Sequence, residues 1–460
     1  MAEIFKQSNL VSQLQRREFL NSSGAVVWLT GLSGSGKSTI GALLERTLIE
    51  SGRNAFLLDG DNLRFGINAG LGFSKEDRSE NIRRISHVAS LMAQSTCVAI
   101  VSAISPFAAD RDAARKVCED AGIAFIEVFV DTSLEECARR DVKGLYKKAF
   151  SGEIAEFTGV SSPYEEPENP ELVIKTAEMS PEKAVERIIE YIRLVDSLRT
   201  VCVRMYNAAV MAGKRILEIY NSGFDVEYKA DSSPLTAADL ASNEVICKAL
   251  KEGYPDFALL SEETVDDKIR RKNPFCFVVD PLDGTKEFVK RNGEFTVNIA
   301  LTAYGKSVAG VVYVPVTDEV YYAAKGCGAF VAKGEQSPDF SQDKRIRVSS
   351  KTEGLTVMAS RSHADEKLLA ILEKNKDKIA DTVSVGSSLK GCRIAQGRAD
   401  VYYRTGLTCE WDTAAMQCVV EQAGGVFRQL DSTPMVYNRE NTLNEKGFYI
   451  LNRIENKFDF

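Results

Sequence analysis

Residues Gly31-Leu32-Ser33-Gly34-Ser35-Gly36-Lys37-Ser38-Thr39 decide how the first half of the chain is read. They fit the pattern G-x-x-x-x-G-K-[ST], and both flanks suit it. The apolar run 25–29 before them predicts a buried strand, and residues 40–49 after them place Leu43, Leu44 and Leu48 at helical spacing. Strand, glycine loop and helix together make a phosphate cradle. Its glycines turn backbone N–H groups toward phosphate oxygens, and the helix N-terminus adds partial positive charge. Within the cradle, Lys37 is placed to reach the terminal phosphates of a nucleotide and Ser38 to hold Mg²⁺.

The loop organises only roughly the first 190 of the residues, and a chain of 460 residues predicts two or three domains. The net charge of −7 disfavours a general nucleic-acid or acidic-membrane binder. Ten scattered cysteines with no C-x-x-C pair predict reduced thiols in a cytoplasmic setting, and two histidines disfavour His-based metal chemistry. The start M-A-E-I-F-K lacks a signal pattern, Glu3 and Glu18 argue against a transit peptide, and no apolar run has membrane-spanning length. Internal repeats are not found. Residues 1–20 are polar and predict helix.

Three further strands are predicted in the first half, over 55–58, 98–103 and 124–130. The first delivers D-G-D-N-L-R (59–64) at its C-terminal end, the edge where ligands bind in open α/β sheets. Its two acids and arginine suit positioning of a hydroxyl nucleophile, or else form a polar turn. In F-S-K-E-D-R-S-E-N-I-R-R (73–84), Ser74 with Asp77 predicts a helix start, and Arg78, Asn81 and Arg84 share one helix face. That face is either solvated or anion-binding. The strand 98–103 ends in I-S-P-F (104–107), and the basic stretch R-R-D-V-K-G-L-Y-K-K (139–148) suits a lid over phosphates. The alternation of strands and helices predicts an α/β unit with a parallel sheet covered on both faces.

Those motifs, with P-Y-E-x-P-E-N-P-E-L further on, run in order from residue 24 to about 192 and resemble adenylyl-sulfate kinase. The resemblance implies a P-loop kinase domain over residues 1–196 that uses ATP to phosphorylate the 3′-hydroxyl of adenosine 5′-phosphosulfate. It implies ATP contacts from Gly31, Ser33, Gly34, Ser35, Gly36, Lys37, Ser38 and Thr39. Asp61 would activate the hydroxyl. Arg64, Arg78 and Asn81 would hold phosphosulfate and ribose, Phe73 and Phe157 would sandwich the adenine beside Ile104, and Lys143 would neutralise phosphate charge. The third strand carries no acid where one often binds Mg²⁺; Ser102 stands there instead, which leaves Ser38, Asp61 and water.

The second half has its own centre, F-C-F-V-V-D-P-L-D-G-T-K-E-F (275–288). An apolar strand ends in Asp280, and a Pro-containing turn returns Asp283 beside it. With the Leu282 carbonyl they suit a hard cation. Glu262 and Glu263 follow another apolar strand, and Asp412 in E-W-D-T-A-A opens a helix. All-oxygen ligands suit Mg²⁺ over zinc. A helix over 181–194 reads as the close of the first domain and one over 200–220 as the opening of the second, joined by a short linker.

The pair D-P-L-D-G-T and W-D-T-A-A resembles the inositol-monophosphatase superfamily, from residue 201 onward. Within it, D-G-T-K-E-F, S-P-L-T-A-A-D, S-R-S-H, G-S-S-L-K and A-D-V-Y-Y-R favour the 3′(2′),5′-bisphosphate nucleotidases. The resemblance implies a layered αβαβα domain over residues 200–460. Glu262 or Glu263, Asp280, Leu282, Asp283 and Asp412 would bind Mg²⁺, and Thr285 oriented by Asp239 would position the attacking water. His363, Ser387, Lys390 and Arg404 would hold adenosine 3′,5′-bisphosphate, to be hydrolysed to AMP. Both resemblances together imply a bifunctional sulfate-activation enzyme that acts on small nucleotides without nucleic-acid or membrane partners. Both families commonly dimerise, which leaves a homodimer open. An inositol or sugar phosphatase in the second half, or a degenerate nucleotide sensor in either, are the competing readings.

Overall fold

The computed structural model describes residues 11–20, 22–222, 226–228, 234–360 and 366–459. The chain divides into two compact units, Met1–Asp196 and Ser197–Phe460.

The first unit is built on five strands: β1 (Ala25–Thr30), β2 (Ala55–Asp59), β3 (Val98–Ser102), β4 (Ala124–Asp131) and β5 (Leu172–Lys175). All pair in parallel, in the order β2-β3-β1-β4-β5. Every residue of β1 and β3 is buried, as a sheet covered on both faces requires. Val26 and Trp28 of β1 share a core with Ile82, Ile85 and Ala89 of the helix Lys75–Gln94. The helix Lys37–Glu50 packs so closely on the sheet that a Cβ on Gly41 would lie 2.9 Å from Leu57 Cδ1. Each aliphatic side chain so buried contributes roughly 1.5–3 kcal/mol. The stretch expected as a lid forms two short helices, Leu134–Arg140 and Leu145–Phe150. Within the polar segment 1–20, helix runs over Gln13–Leu20.

Where the sequence predicts two helices and a short linker, one helix runs over Pro181–Ser222. Residues 195–199 contain neither Gly nor Pro, and Leu194, Leu198, Val201, Cys202 and Met205 are buried at helical spacing. Nothing in that stretch terminates the helix.

Two sheets form the second unit, after a short ribbon of β6 (Val226–Tyr228) and β7 (Pro234–Thr236). The larger sheet holds β8 (Ala258–Ser261), β9 (Phe275–Asp283), β10 (Thr296–Ala303), β11 (Lys306–Val314), β12 (Glu319–Ala324), β13 (Gly328–Lys333) and β14 (Lys344–Ile346), paired in sequence order. Pairing is antiparallel apart from β8 with β9. The smaller holds β15 (Leu355–Ser360), β16 (Ile379–Val385), β17 (Val401–Arg404), β18 (Val426–Gln429) and β19 (Phe448–Leu451), in the order β16-β15-β17-β19-β18. The helices Leu389–Ala395 and Glu410–Gln422 share one core with both sheets, through Leu389, Cys392, Met416 and Val419 against Val278 and Val312 on one side and Tyr402 and Ile450 on the other. Residues Ser197–Ser222 of the long helix lie on the larger sheet, where the Tyr206 hydroxyl donates to the Lys333 carbonyl. The helix Glu366–Lys374 packs on the smaller sheet through Leu368 and Ile371. The result is a layered αβαβα arrangement. Among the described residues no helix is long and apolar enough to cross a membrane.

Candidate active sites

In the first unit the phosphate loop, the end of β2 and the lid surround a cavity of about 1000 Å³. It is lined by Ser33, Gly34, Gly36, Lys37, Ser38 and Thr39 of the loop and by Asp61, Arg64, Phe73, Arg78, Asn81, Ile104, Lys143 and Phe157. Gly31 and Ser35 lie behind it. A Cβ on Gly31 would fall 2.6 Å from the Val130 carbonyl, so that glycine serves close approach to β4. The carbonyl of the buried Ser35 accepts from Thr132 Oγ1 at 3.2 Å and Thr176 Oγ1 at 3.0 Å, which anchors the loop to the ends of β4 and β5.

Lys37 is buried, and its Nζ donates to the carbonyls of Gly31 at 2.8 Å and Leu32 at 2.7 Å. Burial pushes its pKa down to about 8. Ser38 Oγ donates to Asp59 Oδ2 at 2.9 Å and lies 3.2 Å from Ser102 Oγ. Asp59 and Ser102 are register partners at the ends of adjacent strands. An acid thus stands beside Ser38 one strand over from the strand that lacks one, a contact the sequence reading did not single out. Asp61, two residues on, stands exposed with the Lys143 ammonium on its carboxylate.

Arg64 stacks its guanidinium 4.4 Å over the Phe73 ring and donates to the carbonyls of Leu71 and Gly72. Arg78 donates from Nε to the Phe73 carbonyl at 2.7 Å, from Nη1 to Thr158 Oγ1 and from Nη2 to the Glu156 carbonyl. All three of its nitrogens thereby hold the segments that carry Phe73 and Phe157. Asn81 accepts from Asn68 Nδ2 at 2.9 Å. Arg84 is turned to Glu80 and the Ile67 carbonyl.

The second unit gathers its acids where β8, β9 and the helix Glu410–Gln422 meet. Asp280, Asp283 and Asp412 each offer a carboxylate oxygen within 4.8 Å of the others. The expected strand-then-turn is a bulge within β9: Asp280 pairs with Asn298 and Asp283 with Thr296, so two residues of β9 stand against one of β10. Bulges of this kind re-aim side chains beside active sites. Gly284 follows at φ 93°, and a Cβ there would lie 2.3 Å from Ser387 Oγ.

Asp283 Oδ2 accepts from Ser388 N at 2.7 Å, Asn298 Nδ2 at 3.1 Å and Thr296 Oγ1 at 3.3 Å. Of these three donors only Ser388 lies in a motif singled out in the sequence, G-S-S-L-K, and nothing there links it to Asp283. Asp412 caps its own helix by accepting from Cys409 N. Burial, then the charges of Glu262 and Asp283, raise Asp280 well above the usual carboxylate range; burial and Asp283 raise Asp412. Glu262 follows β8 and acts on Asp280 and Asp412, whereas Glu263 acts on Asp239. Acids this close, one buried and two half-buried, fit a divalent cation, which would remove the cost of their shared charge.

Thr285 donates from Oγ1 to Asp239 Oδ1 at 3.1 Å, and the other Asp239 oxygen accepts from Thr236 N and Oγ1 in a capping box. Lys390 is buried, donates to the Ser387 carbonyl at 2.8 Å and lies 5.4 Å from the Tyr402 ring centre. Burial lowers its pKa to about 8. Arg404 carries a buried Nε without a partner. The Ser387 hydroxyl donates inward, to the carbonyls of Asp283 and Glu294. His363 lies outside the described residues.

A glycine loop at the C-terminal edge of a parallel sheet defines the first unit as a nucleotide-phosphate binder; a partly buried carboxylate cluster between two sheets gives the second a donor set that suits a hard cation. Residues 23–175 match the family model for adenylylsulphate kinase, and residues 197–455 match that of the inositol monophosphatase family. The adenylyl-sulfate kinase of Clostridium acetobutylicum is 51% identical over 187 residues, covering 41% of this chain and 92% of that protein. That of Emericella nidulans is 53% identical over 188 residues, covering 40% and 91%. Among solved structures, CysQ from Bacteroides thetaiotaomicron, a bacterial member of the inositol monophosphatase family, is 39% identical over 55% of this chain and 97% of its own, with a TM-score of 0.49. The chain belongs to the adenylyl-sulfate kinase family in its N-terminal unit and to the inositol monophosphatase family in its C-terminal unit.

Proposed function

We propose that the chain is a bifunctional sulfate-activation enzyme whose domains, 1–196 and 200–460, both act at the 3′ position of adenosine nucleotides. The first transfers the γ-phosphoryl group of ATP to the 3′-hydroxyl of adenosine 5′-phosphosulfate, breaking the P–O bond to ADP. The second adds water to the 3′-phosphorus of adenosine 3′,5′-bisphosphate and releases AMP and phosphate. Identity above half to curated adenylyl-sulfate kinases supports the first activity. Ten free thiols support a reducing, cytoplasmic compartment.

The single observation that carries the kinase reading is that Lys37 and Asp61 line one cavity. Lys37 leaves the loop carbonyls to hold the β- and γ-phosphates. Asp61 takes the proton of the attacking hydroxyl, Lys143 moves from Asp61 to the transferring group, and Phe73 and Phe157 hold the acceptor base. Such transfer depends mainly on positioning and charge neutralisation.

In the second unit the carrying observation is the Thr285–Asp239 hydrogen bond beside the acid cluster. With Thr285 committed to Asp239 as donor, its oxygen accepts from the attacking water, and Asp239 is the sink for that proton. Lys390 and Arg404 bind the second phosphate. Mg²⁺ fits both sites by donor chemistry, against Ser38, Asp59 and Ser102 in one and Glu262, Asp280, Leu282, Asp283 and Asp412 in the other. When bound, the cation neutralises phosphate charge and polarises the P–O bond to be broken. Incubating the full chain with Mg²⁺, ATP and adenosine 5′-phosphosulfate tests the kinase reading: a product heavier by one phosphoryl group and equimolar ADP are expected, and ADP formation independent of the acceptor would overturn it.

A further inference from the structure

The turn Ile104-Ser105-Pro106 lines the first unit's cavity together with Arg64, Phe73 and Asn81. Ser105 is buried with φ 42°, a backbone state that an L side chain holds only where its surroundings impose it. Here they do. Trp28 Nε1 donates to Ser105 Oγ at 3.1 Å, and Ser105 Oγ donates to Thr30 Oγ1 at 2.9 Å. Thr30 Oγ1 donates to the Ile104 carbonyl at 2.7 Å, and the Tyr164 hydroxyl stands 2.9 Å from Thr30 Oγ1.

Behind this turn lies Arg111, 3% exposed. Its Nη1 donates to the Ser105 carbonyl at 2.7 Å, its Nη2 to the Glu165 carbonyl at 2.7 Å and its Nε to Glu127 Oε1 at 2.9 Å. Glu165 in turn accepts from Ala108 N at 2.7 Å, just past the turn. A guanidinium meets three acceptors in three directions; an ammonium on a flexible stem does not reproduce that geometry. Buried arginines are costly and usually paired. Glu127 already pairs this one, so the two contacts to main-chain carbonyls do something more.

We propose that Arg111 is a positioning residue for the acceptor nucleotide: through the Ser105 carbonyl it sets the wall against which the nucleotide seats. The proposal rests on the kinase reading of the first unit. It separates acceptor binding from ATP binding, because the phosphate loop has its own anchors in Thr132 and Thr176.

The test is steady-state kinetics on full-length Arg111→Lys, with melting temperature measured in parallel. The KM for adenosine 5′-phosphosulfate should rise about tenfold or more, as small misplacements of a bound reactant do. The KM for ATP, the affinity for a non-hydrolysable ATP analogue and the second unit's phosphatase rate should stay within about twofold. If Arg111→Lys fails to fold, Ser105→Ala, which keeps the carbonyl that Arg111 holds but loosens the same turn by removing its hydroxyl contacts to Trp28 and Thr30, should show the same acceptor-selective rise. A folded variant with unchanged acceptor KM, or one in which both KM values rise together, would overturn the proposal. A wild-type chain that does not phosphorylate the acceptor would instead end the kinase reading itself.

Discussion

The Asp59 carboxylate accepts a hydrogen bond from the Ser38 hydroxyl at 2.9 Å, joining the end of β2 to the first turn of the loop helix. In the proposed reaction this carboxylate would stand in for the acid that the third strand lacks. Asp59→Asn keeps the shape and removes the charge. The kinase kcat should fall about 100-fold and half-saturation by Mg²⁺ should rise, with the phosphatase unaffected. Magnesium titrations of both activities in one preparation check this.

Lys143 and Asp61 are both exposed, so their ion pair adds little stability. Lys143→Met should leave the melting temperature unchanged while lowering kinase kcat/KM about tenfold or more. A shifted melting temperature with intact turnover would make the contact structural.

Asn298 belongs to the group of donors that fixes Asp283 Oδ2. Asn298→Ala should weaken Mg²⁺ activation of the phosphatase by roughly 10–100-fold, the usual cost of losing such a support. Raising Mg²⁺ should restore much of the rate, which loss of fold would not allow. The kinase provides an internal control.

Lys390 supplies a pH dependence. Burial lowers its pKa to about 8, so the free protein carries the ammonium below that pH and loses it above. A phosphate binds the charged form, so affinity is full below about 8 and falls about tenfold per unit as pH rises beyond it. Phosphatase KM measured from neutral to alkaline pH should show this limb, and Lys390→Met should raise KM at neutral pH and abolish the limb.

If the proposed activities coexist, the phosphatase must discriminate, or it would undo the kinase product. Its kcat/KM for adenosine 3′,5′-bisphosphate should exceed that for the 3′-phosphorylated phosphosulfate; equal values would contradict the pairing.

The loop 31–39 carries its own chemistry and flanks, so the first unit's sheet and the place of Lys37 are legible from sequence. So are Asp280, Asp283 and Asp412, because each sits in a dense local motif. What was not legible depends on neighbours distant in the chain. Asp59 meets Ser38 only because the helix Lys37–Glu50, which follows β1, packs across β3 onto β2. Asn298 reaches Asp283 across the bulge from 15 positions away and Ser388 reaches it from a helix start 105 positions away, and the two donors are themselves joined across 90 positions. Arg78 and Ser387, whose types suggest anion contacts, also hold neighbouring backbone in ways the sequence does not show, through the carbonyls of Phe73 and Glu156 for one and of Asp283 and Glu294 for the other. The uninterrupted helix Pro181–Ser222 follows from a stripe of buried apolar residues that continues where a boundary was expected.

The central claim is that both halves serve the same 3′ position. It is tested most directly by phosphate release from the full-length protein with Mg²⁺, using adenosine 3′,5′-bisphosphate and inositol 1-phosphate side by side. The account predicts strong preference for the bisphosphate. Preference for inositol 1-phosphate would contradict it and leave a kinase joined to an unrelated phosphatase.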